Sequence, residues 1–310
     1  MLIDRIAGRV PPEGVWLPLV TPFRDHRLDE ESLATLVYHY ATSPIAGLIL
    51  AATTGEALTL EPCETETLVD IAASITGNRL PLYLGLCGSN TAAMVRQIIA
   101  TASWPVQGYL ISCPYYIRPS QDGLRRHFAA LAGATDRPIL LYNIPYRTGV
   151  NLANETLFQL AEIGNIVGVK DCCADHAQSF ELIRGRPADF AVLTGDDAEF
   201  FGAIAQGADG GILAAAHIDP EAFAEVRQLL LAGDRTGALR SWRRLVDLVR
   251  LLFAEPSPAP IKYWLWREGL IASPEVRLPM TGISGSLAAR INHAIEGRMP
   301  AAPARIQVPA

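Results

Sequence analysis

Lysine is almost missing from this chain. Of its 26 Lys+Arg residues only Lys170 and Lys262 are lysines. A protein that meets its cationic needs with arginine has little general use for a primary amine, so each of the two needs a reason. Arginine stays protonated in proteins, whereas a desolvated lysine can lose its proton and attack a carbonyl. Other absences narrow the field. No apolar run approaches the length of a membrane span, and Met1-Leu-Ile-Asp-Arg5 lacks the apolar stretch of a signal peptide. The net charge of −6 argues against nucleic acid or an anionic membrane surface as partner. A cytoplasmic globular protein is the expectation. The histidines form neither H-x-H nor H-E-x-x-H, and the odd number of cysteines, with the vicinal pair Cys172-Cys173, forms no C-x-x-C. No metal site is therefore expected. No G-x-G-x-x-G occurs either, which removes the usual mark of a doubly wound dinucleotide fold.

What remains is an apolar chain, half hydrophobic, long enough for one large core. Its pattern alternates short β-branched runs with amphipathic stretches. Strands are predicted over 15–20, 47–51, 81–85, 108–112, 138–143, 166–170, 190–194 and 210–213. The helices between and after them are predicted over 28–40, 61–76, 91–103, 121–134, 154–162, 177–183, 198–206 and 220–231, with Gly77-Asn78 closing the second. Eight β-α units in succession imply an α/β fold with parallel strands closed into a (β/α)8 TIM barrel. No strand pattern follows. Helical stretches over 238–253, 261–268 and 286–296 read as an appendage packed on the barrel. The expected organisation is a catalytic barrel over 1–233, a C-terminal helical extension over 234–298 and a mobile tail over 299–310.

Active sites of such barrels lie at the C-terminal ends of the strands. Filtering the polar residues by that rule leaves Thr53 and Thr54 after the second strand, and Tyr115 and Tyr116 after the fourth. Tyr142, Asn143 and Arg147 follow the fifth, Lys170 and Asp171 end the sixth, and Gly195, Asp196 and Asp197 follow the seventh. Each has a bland reading: a capped turn for Thr53-Thr54-Gly55-Glu56, a core aromatic for Tyr142, a surface residue for Arg147. Asp196-Asp197 reads as a helix cap, and Lys262, in a Pro-rich turn leading into the appended helices, reads as structural. The combination favours chemistry. A neutral Lys170 can attack a 2-oxo acid, lose water to leave an imine, and support loss of the α-proton to give an enamine nucleophile. Tyr142 is the proton shuttle best placed for these steps, provided neighbouring hydroxyls relay its proton. Thr53 and Thr54, with backbone N–H groups of their turn, can hold one carboxylate, and Arg147 a second, bidentately.

The stretches Thr53-Thr-Gly-Glu56, Cys113-Pro-Tyr-Tyr-Ile-Arg-Pro-Ser-Gln121, Leu141-Tyr-Asn-Ile-Pro-Tyr-Arg-Thr-Gly149, Gly168-Val-Lys170, Thr194-Gly-Asp-Asp197 and Glu255-Pro-Ser-Pro-Ala-Pro-Ile-Lys262 occur in this order. Together they resemble the dihydrodipicolinate synthase and N-acetylneuraminate lyase family of class I, pyruvate-dependent aldolases, over about residues 14–295. Their spacing is more similar to the synthase branch. The resemblance implies Lys170 as the Schiff-base lysine and Tyr142 as the acid/base, linked to Thr53 and Tyr116 in a proton relay. It implies that Tyr116 comes from a neighbouring subunit, hence a homodimer or homotetramer. Thr54 would hold the pyruvate carboxylate and Arg147 the carboxylate of the second substrate, with the backbone near Gly195 and Ile212 lining the pocket. No cofactor is implied beyond the covalent lysine–pyruvate imine.

The activity implied is a lyase reaction condensing pyruvate with L-aspartate 4-semialdehyde to 4-hydroxy-tetrahydrodipicolinate, in lysine and diaminopimelate biosynthesis. The rival with the same lysine chemistry is an aldolase or dehydratase of a 2-oxo-3-deoxy sugar acid or another hydroxy-2-oxo acid. A rival of another class is a catalytically silent keto-acid sensor, which retention of Lys170 and Tyr142 argues against. Some positions depart from the family pattern. Ala52 replaces the usual glycine, and Ala93 or Met94 stands where lysine-inhibited members have glutamate. Pro62 and Thr65 replace histidines of that allosteric site. Feedback inhibition by lysine is accordingly expected to be weak or absent, which initial-rate kinetics with added lysine would check. Asp171-Cys172-Cys173 replaces a common Glu-Ala after the lysine, and it bears on the choice of aldehyde.

Overall fold

The computed structural model describes residues 11–77 and 79–298. Asn78 of the expected helix close, the first ten residues and the expected tail over 299–310 lie outside the described residues. Eight parallel strands close into a barrel: β1 Gly14–Pro18, β2 Gly47–Leu50, β3 Leu82–Leu86, β4 Gly108–Ser112, β5 Ile139–Asn143, β6 Ile166–Asp171, β7 Ala191–Thr194 and β8 Gly210–Ile212. Each strand pairs with the next in sequence, and β8 returns to β1. This is the TIM barrel that the alternating pattern predicts. The outer ring is α1 Glu30–Ala41, α2 Pro62–Thr76, α3 Thr91–Ala100, α4 Gln121–Ala132, α5 Asn154–Ala161, α6 His176–Gly185, α7 Phe200–Ala205 and α8 Pro220–Leu231.

The strands read as unbroken apolar runs because both of their faces are covered. In β5, Leu140 and Tyr142 belong to the cluster that fills the barrel, while Ile139 and Leu141 belong to the larger cluster under the helices. Most helices start on a side chain that accepts an otherwise orphan N–H. Asp29 serves α1, Asn90 α3, Ser120 α4, Asp175 α6 and Asp219 α8. Glu61 and Glu64 form a reciprocal capping box on α2.

Where pattern and structure differ, the cause is local. The helix expected over 198–206 is shorter, because Asp197–Glu199 first forms a 3-10 turn. A small antiparallel hairpin, Phe23–Arg24 with Arg27–Leu28, has strands too short to show a period. Its turn residues Asp25 and His26 both take positive φ, 53° and 64°, without the Asn-Gly that normally marks such a turn.

Three further helices follow: α9 Arg235–Leu252, α10 Ala259–Arg267 and α11 Gly285–Arg298. Helix α9 packs along α8, and α10 packs against α11. Trp242, Leu245, Trp264, Leu265 and Leu287 of these helices belong to the same buried cluster as the barrel strands and their helices. Lys262 lies on α10, fully buried, and not in the Pro-rich turn expected from the sequence. Among the described residues no helix is long and apolar enough to cross a membrane.

Candidate active site

The pairing register brings the chemistry together. Ile139 of β5 pairs with Ile166 of β6, yet Leu140 pairs with Gly168, so β6 carries one extra residue at this point. That irregularity shifts the phase of β6 by one, and Tyr142 then pairs with Lys170. A one-residue slip exchanges the two faces of a strand. The shift therefore sends the lysine into the barrel beside the tyrosine.

Both side chains are buried, and Lys170 Nζ lies 4.4 Å from the centre of the Tyr142 ring. Burial pulls the Lys170 amine below its ordinary pKa; Cys172 and Asp197 oppose that shift, and Arg147 adds to it. Burial also pushes the Tyr142 phenol well above its ordinary value, with Cys172 and Tyr146 adding, while a hydrogen bond with Thr53 and the charge of Arg147 oppose. An amine biased toward its neutral form thus sits beside a phenol that keeps its proton. Carbonyl addition followed by loss of water needs this pairing.

Gly195 follows β7 directly above this pair. A Cβ there would collide with Cε of Lys170 and Sγ of Cys172, so glycine is what lets the chain pass. Burial raises the Cys172 thiol to about 12, and it therefore stays protonated next to the Tyr142 hydroxyl, with which it is hydrogen-bonded. Asp171 does not face the amine's side of the barrel: Ser179 Oγ donates to its Oδ2 at 2.5 Å and the Cys173 N–H to its Oδ1 at 3.1 Å. It anchors α6 to β6.

The turn after β2 is unusually constrained. Ala51 and Glu56 both take left-handed φ, 49° and 54°, at positions that are not glycine. Such conformations persist only where the surroundings hold them. Here Thr21 Oγ1 donates to Gly55 O at 2.7 Å, Lys262 Nζ donates to Glu56 Oε1 at 2.7 Å, and the Arg277 N–H donates to Glu56 Oε2 at 2.9 Å. Within this clamp Thr54 is buried and Thr53 reaches Tyr142.

Arg147 lies on a single helical turn, Pro145–Thr148, that follows β5 and ends at Gly149 with φ 77°. Its Nε donates to Tyr146 Oη at 3.2 Å. Tyr116 takes φ 73° and is 90% exposed, its backbone N–H held by Thr148 O at 3.1 Å. The fold therefore presents this ring outward from its own subunit.

A cavity of about 350 Å³ opens at the C-terminal ends of β2 to β5, under a segment that includes Pro279 and Met280. Thr53, Ser112, Tyr115, Tyr142 and Arg147 are among its lining residues. Lys170, Thr54, Gly195 and Ile212 are outside that lining, Ile212 being fully buried on β8. Tyr142 lines the cavity, and its ring is 4.4 Å from the Lys170 amine.

Two residues were not legible as site residues. Asp196 does cap the 3-10 turn, accepting the Ala198 N–H at 2.9 Å, but Asp197 is not a cap. It is buried, its Oδ1 accepts the Ala215 N–H at 2.6 Å, and burial pushes its carboxyl up to about 7. A doubled aspartate before a helix looks like a cap whichever way its second carboxylate turns. Ser112 ends an apolar strand and has no local mark at all. Among the described residues no three His, Cys, Asp or Glu side chains converge as a metal-ligand group.

Comparison with known proteins points in one direction. The sequence pattern of the Dihydrodipicolinate synthetase family matches residues 11–297. A 4-hydroxy-tetrahydrodipicolinate synthase 2 of Clostridium acetobutylicum is 43% identical over 280 residues, covering 90% of this chain and 98% of the relative. The crystal structure of dihydrodipicolinate synthase from Aquifex aeolicus superposes with a TM-score of 0.88 at 31% identity, over 92% of this chain and 97% of that one. That of the Acinetobacter baumannii enzyme, described as chloride inhibited and complexed with pyruvate, gives a TM-score of 0.88 at 33% identity, covering 92% and 98%.

Proposed function

This chain belongs to the dihydrodipicolinate synthetase family, and on that premise we propose that it condenses pyruvate with L-aspartate 4-semialdehyde to 4-hydroxy-tetrahydrodipicolinate, a step of lysine and diaminopimelate biosynthesis. The name of the Clostridium acetobutylicum relative supports the reaction. The observation that carries the chemistry is the register of Lys170 against Tyr142, both buried, with the amine 4.4 Å from the ring.

The neutral Lys170 amine adds to C2 of pyruvate, and the keto oxygen takes a proton from Tyr142. The phenol takes one proton back from the nitrogen and gives it to the new hydroxyl, which leaves as water and so forms a protonated imine. Thr53, hydrogen-bonded to Tyr142, passes protons on, and Tyr116 of a neighbouring subunit completes the relay. Removal of a C3 proton gives the enamine. Its C3 bonds to the aldehyde carbon of the semialdehyde, and the aldehyde oxygen takes a proton to become the product hydroxyl. The amine of the semialdehyde then attacks the imine carbon, closes the ring and releases Lys170. Thr54 holds the pyruvate carboxylate, Arg147 holds that of the semialdehyde, and Gly195 and Ile212 shape the floor. No cofactor enters, since the imine itself is the electron sink. The assembly is a homodimer or homotetramer, because the relay draws on a second subunit.

Borohydride reduction in the presence of pyruvate tests the core of this reading. Mass spectrometry should find the reduced pyruvate adduct on wild type and none on Lys170→Arg. An adduct on another residue, or none on wild type, would sink the Schiff-base mechanism. A coupled assay of the semialdehyde against a panel of 2-oxo-3-deoxy acids then identifies the second substrate. Preference for a sugar acid would remove the synthase assignment and keep the lysine chemistry.

A further inference from the structure

Ser112 closes β4 with a hydroxyl that is buried and has no hydrogen-bond partner, although the residue lines the cavity. Its Cα pairs with that of Tyr142, which pairs in turn with Lys170. Residues in register on neighbouring parallel strands face the same way, so Ser112 points into the barrel in the same layer as those two. Leu110, two residues earlier, belongs to the interior cluster, which fixes that face.

A buried hydroxyl without a partner forfeits the hydrogen bonds it made in water, and native interiors rarely leave one so. Several other polar groups around the cavity are already engaged. Glu56 is taken by Lys262 and the Arg277 N–H. The Thr59 hydroxyl donates to Glu56 O, the Thr148 hydroxyl bonds the Ile144 and Val150 carbonyls, and Thr53 serves Tyr142. Ser112 alone among these is left with its capacity unused. A ligand in the cavity is the partner it lacks.

Which ligand follows from position. The keto acid is tied to Lys170, which lies with Thr54 and Gly195 outside the cavity lining and packs on the Tyr142 ring. Ser112 is on the wall of the cavity itself, two strands from the lysine. Resting on the condensation reading above, we infer that Ser112 is a specificity residue whose hydroxyl hydrogen-bonds a polar group of the aldehyde substrate and not the lysine-bound keto acid. It holds the incoming aldehyde against the wall formed by β3 and β4, on the Tyr142 side of the enamine.

The test compares Ser112→Ala and Ser112→Thr with wild type. Ser112→Ala should still be trapped by borohydride with pyruvate, with a KM for pyruvate within about twofold of wild type. Its kcat/KM for the semialdehyde should fall roughly tenfold, because a polar group of the substrate is then buried unpaired. Ser112→Thr, which keeps a hydroxyl, should retain most of that activity. Thermal melting of the unliganded Ser112→Ala protein should not fall, since the hydroxyl it removes has no partner in the protein. A lowered Tm with both substrates affected equally would show a structural role and overturn the inference. Unchanged kcat/KM for the semialdehyde would overturn it alone. Wild type that traps pyruvate but turns over no semialdehyde would overturn the condensation reading, and this inference with it.

Discussion

As the proposed nucleophile Lys170 can react only while neutral, and its neighbours pull its proton affinity in opposite directions. Burial lowers it most, Cys172 and Asp197 raise it, and Arg147 lowers it. Asp197 is therefore a brake on the neutral amine, held in place by the Ala215 N–H at 2.6 Å. Asparagine can still accept that bond and carries no charge. With the carboxylate gone, the protonated amine loses a favourable partner, so its pKa falls further and the neutral form survives to lower pH. The acid limb of the kcat/KM profile for pyruvate should thus move to lower pH in Asp197→Asn. A profile of the same position, or one moved toward alkaline pH, would take Asp197 out of the Lys170 environment. This residue also marks where reading the sequence stops. Scarcity of lysine and the end of an apolar run were enough to single out Lys170. The direction of the second carboxylate in Asp196-Asp197 is decided by the packing of β7 against β8, which no local pattern encodes.

Among the elements, the eight strands were legible as short apolar runs and their helices by helical spacing, most of them with a capping side chain. The residues that place the site exactly opposite one another depend on contacts between distant elements, and these were not. The extra residue in β6 that turns Lys170 toward Tyr142 is invisible in Ile166-Val-Gly-Val-Lys170. So is the tether of the Thr53-Thr54 turn. Lys262 and Glu56 are 206 residues apart and both buried, and the Lys262 ammonium also lies 4.3 Å from the Phe23 ring. Burial pulls Lys262 down to about 8 while Glu56 raises it, so the amine is mostly protonated at neutral pH. Removing one member leaves a buried charge alone, at a cost of about 3–5 kcal/mol, whereas replacing both is often nearly neutral. Lys262→Met should therefore unfold at much lower denaturant than Glu56→Gln/Lys262→Met. The double variant should recover stability but not function: with the left-handed Glu56 position untethered, the turn that carries Thr54 loosens and KM for pyruvate rises. Additive stability changes in a double-mutant cycle, or a double variant with wild-type KM, would show that the pair does not hold the turn.

For the whole molecule, the question is whether one subunit contains a complete site. Tyr142 and Thr53 share a hydrogen bond within the chain. Tyr116 sits on the outside, 90% exposed on a left-handed backbone that its Thr148 contact fixes. A ring so held gains nothing for its own subunit's core, and Tyr146, 72% exposed, and Ile117, 57% exposed, accompany it on the surface. If Tyr116 completes a neighbour's relay, a subunit lacking Lys170 can still lend its tyrosine. Lys170→Arg and Tyr116→Phe proteins, each nearly inactive alone, should regain activity when unfolded together and refolded as a mixture. The site of the Tyr116→Phe subunit then holds its own Lys170 and the intact tyrosine of its companion. Random pairing in a two-fold dimer makes half the assemblies mixed, each with one complete site, so about a quarter of wild-type activity should return. A tyrosine acting within its own chain would leave every site in the mixture lacking one of the two groups. No recovery would then appear at any ratio of the two proteins, and the shared site would be ruled out.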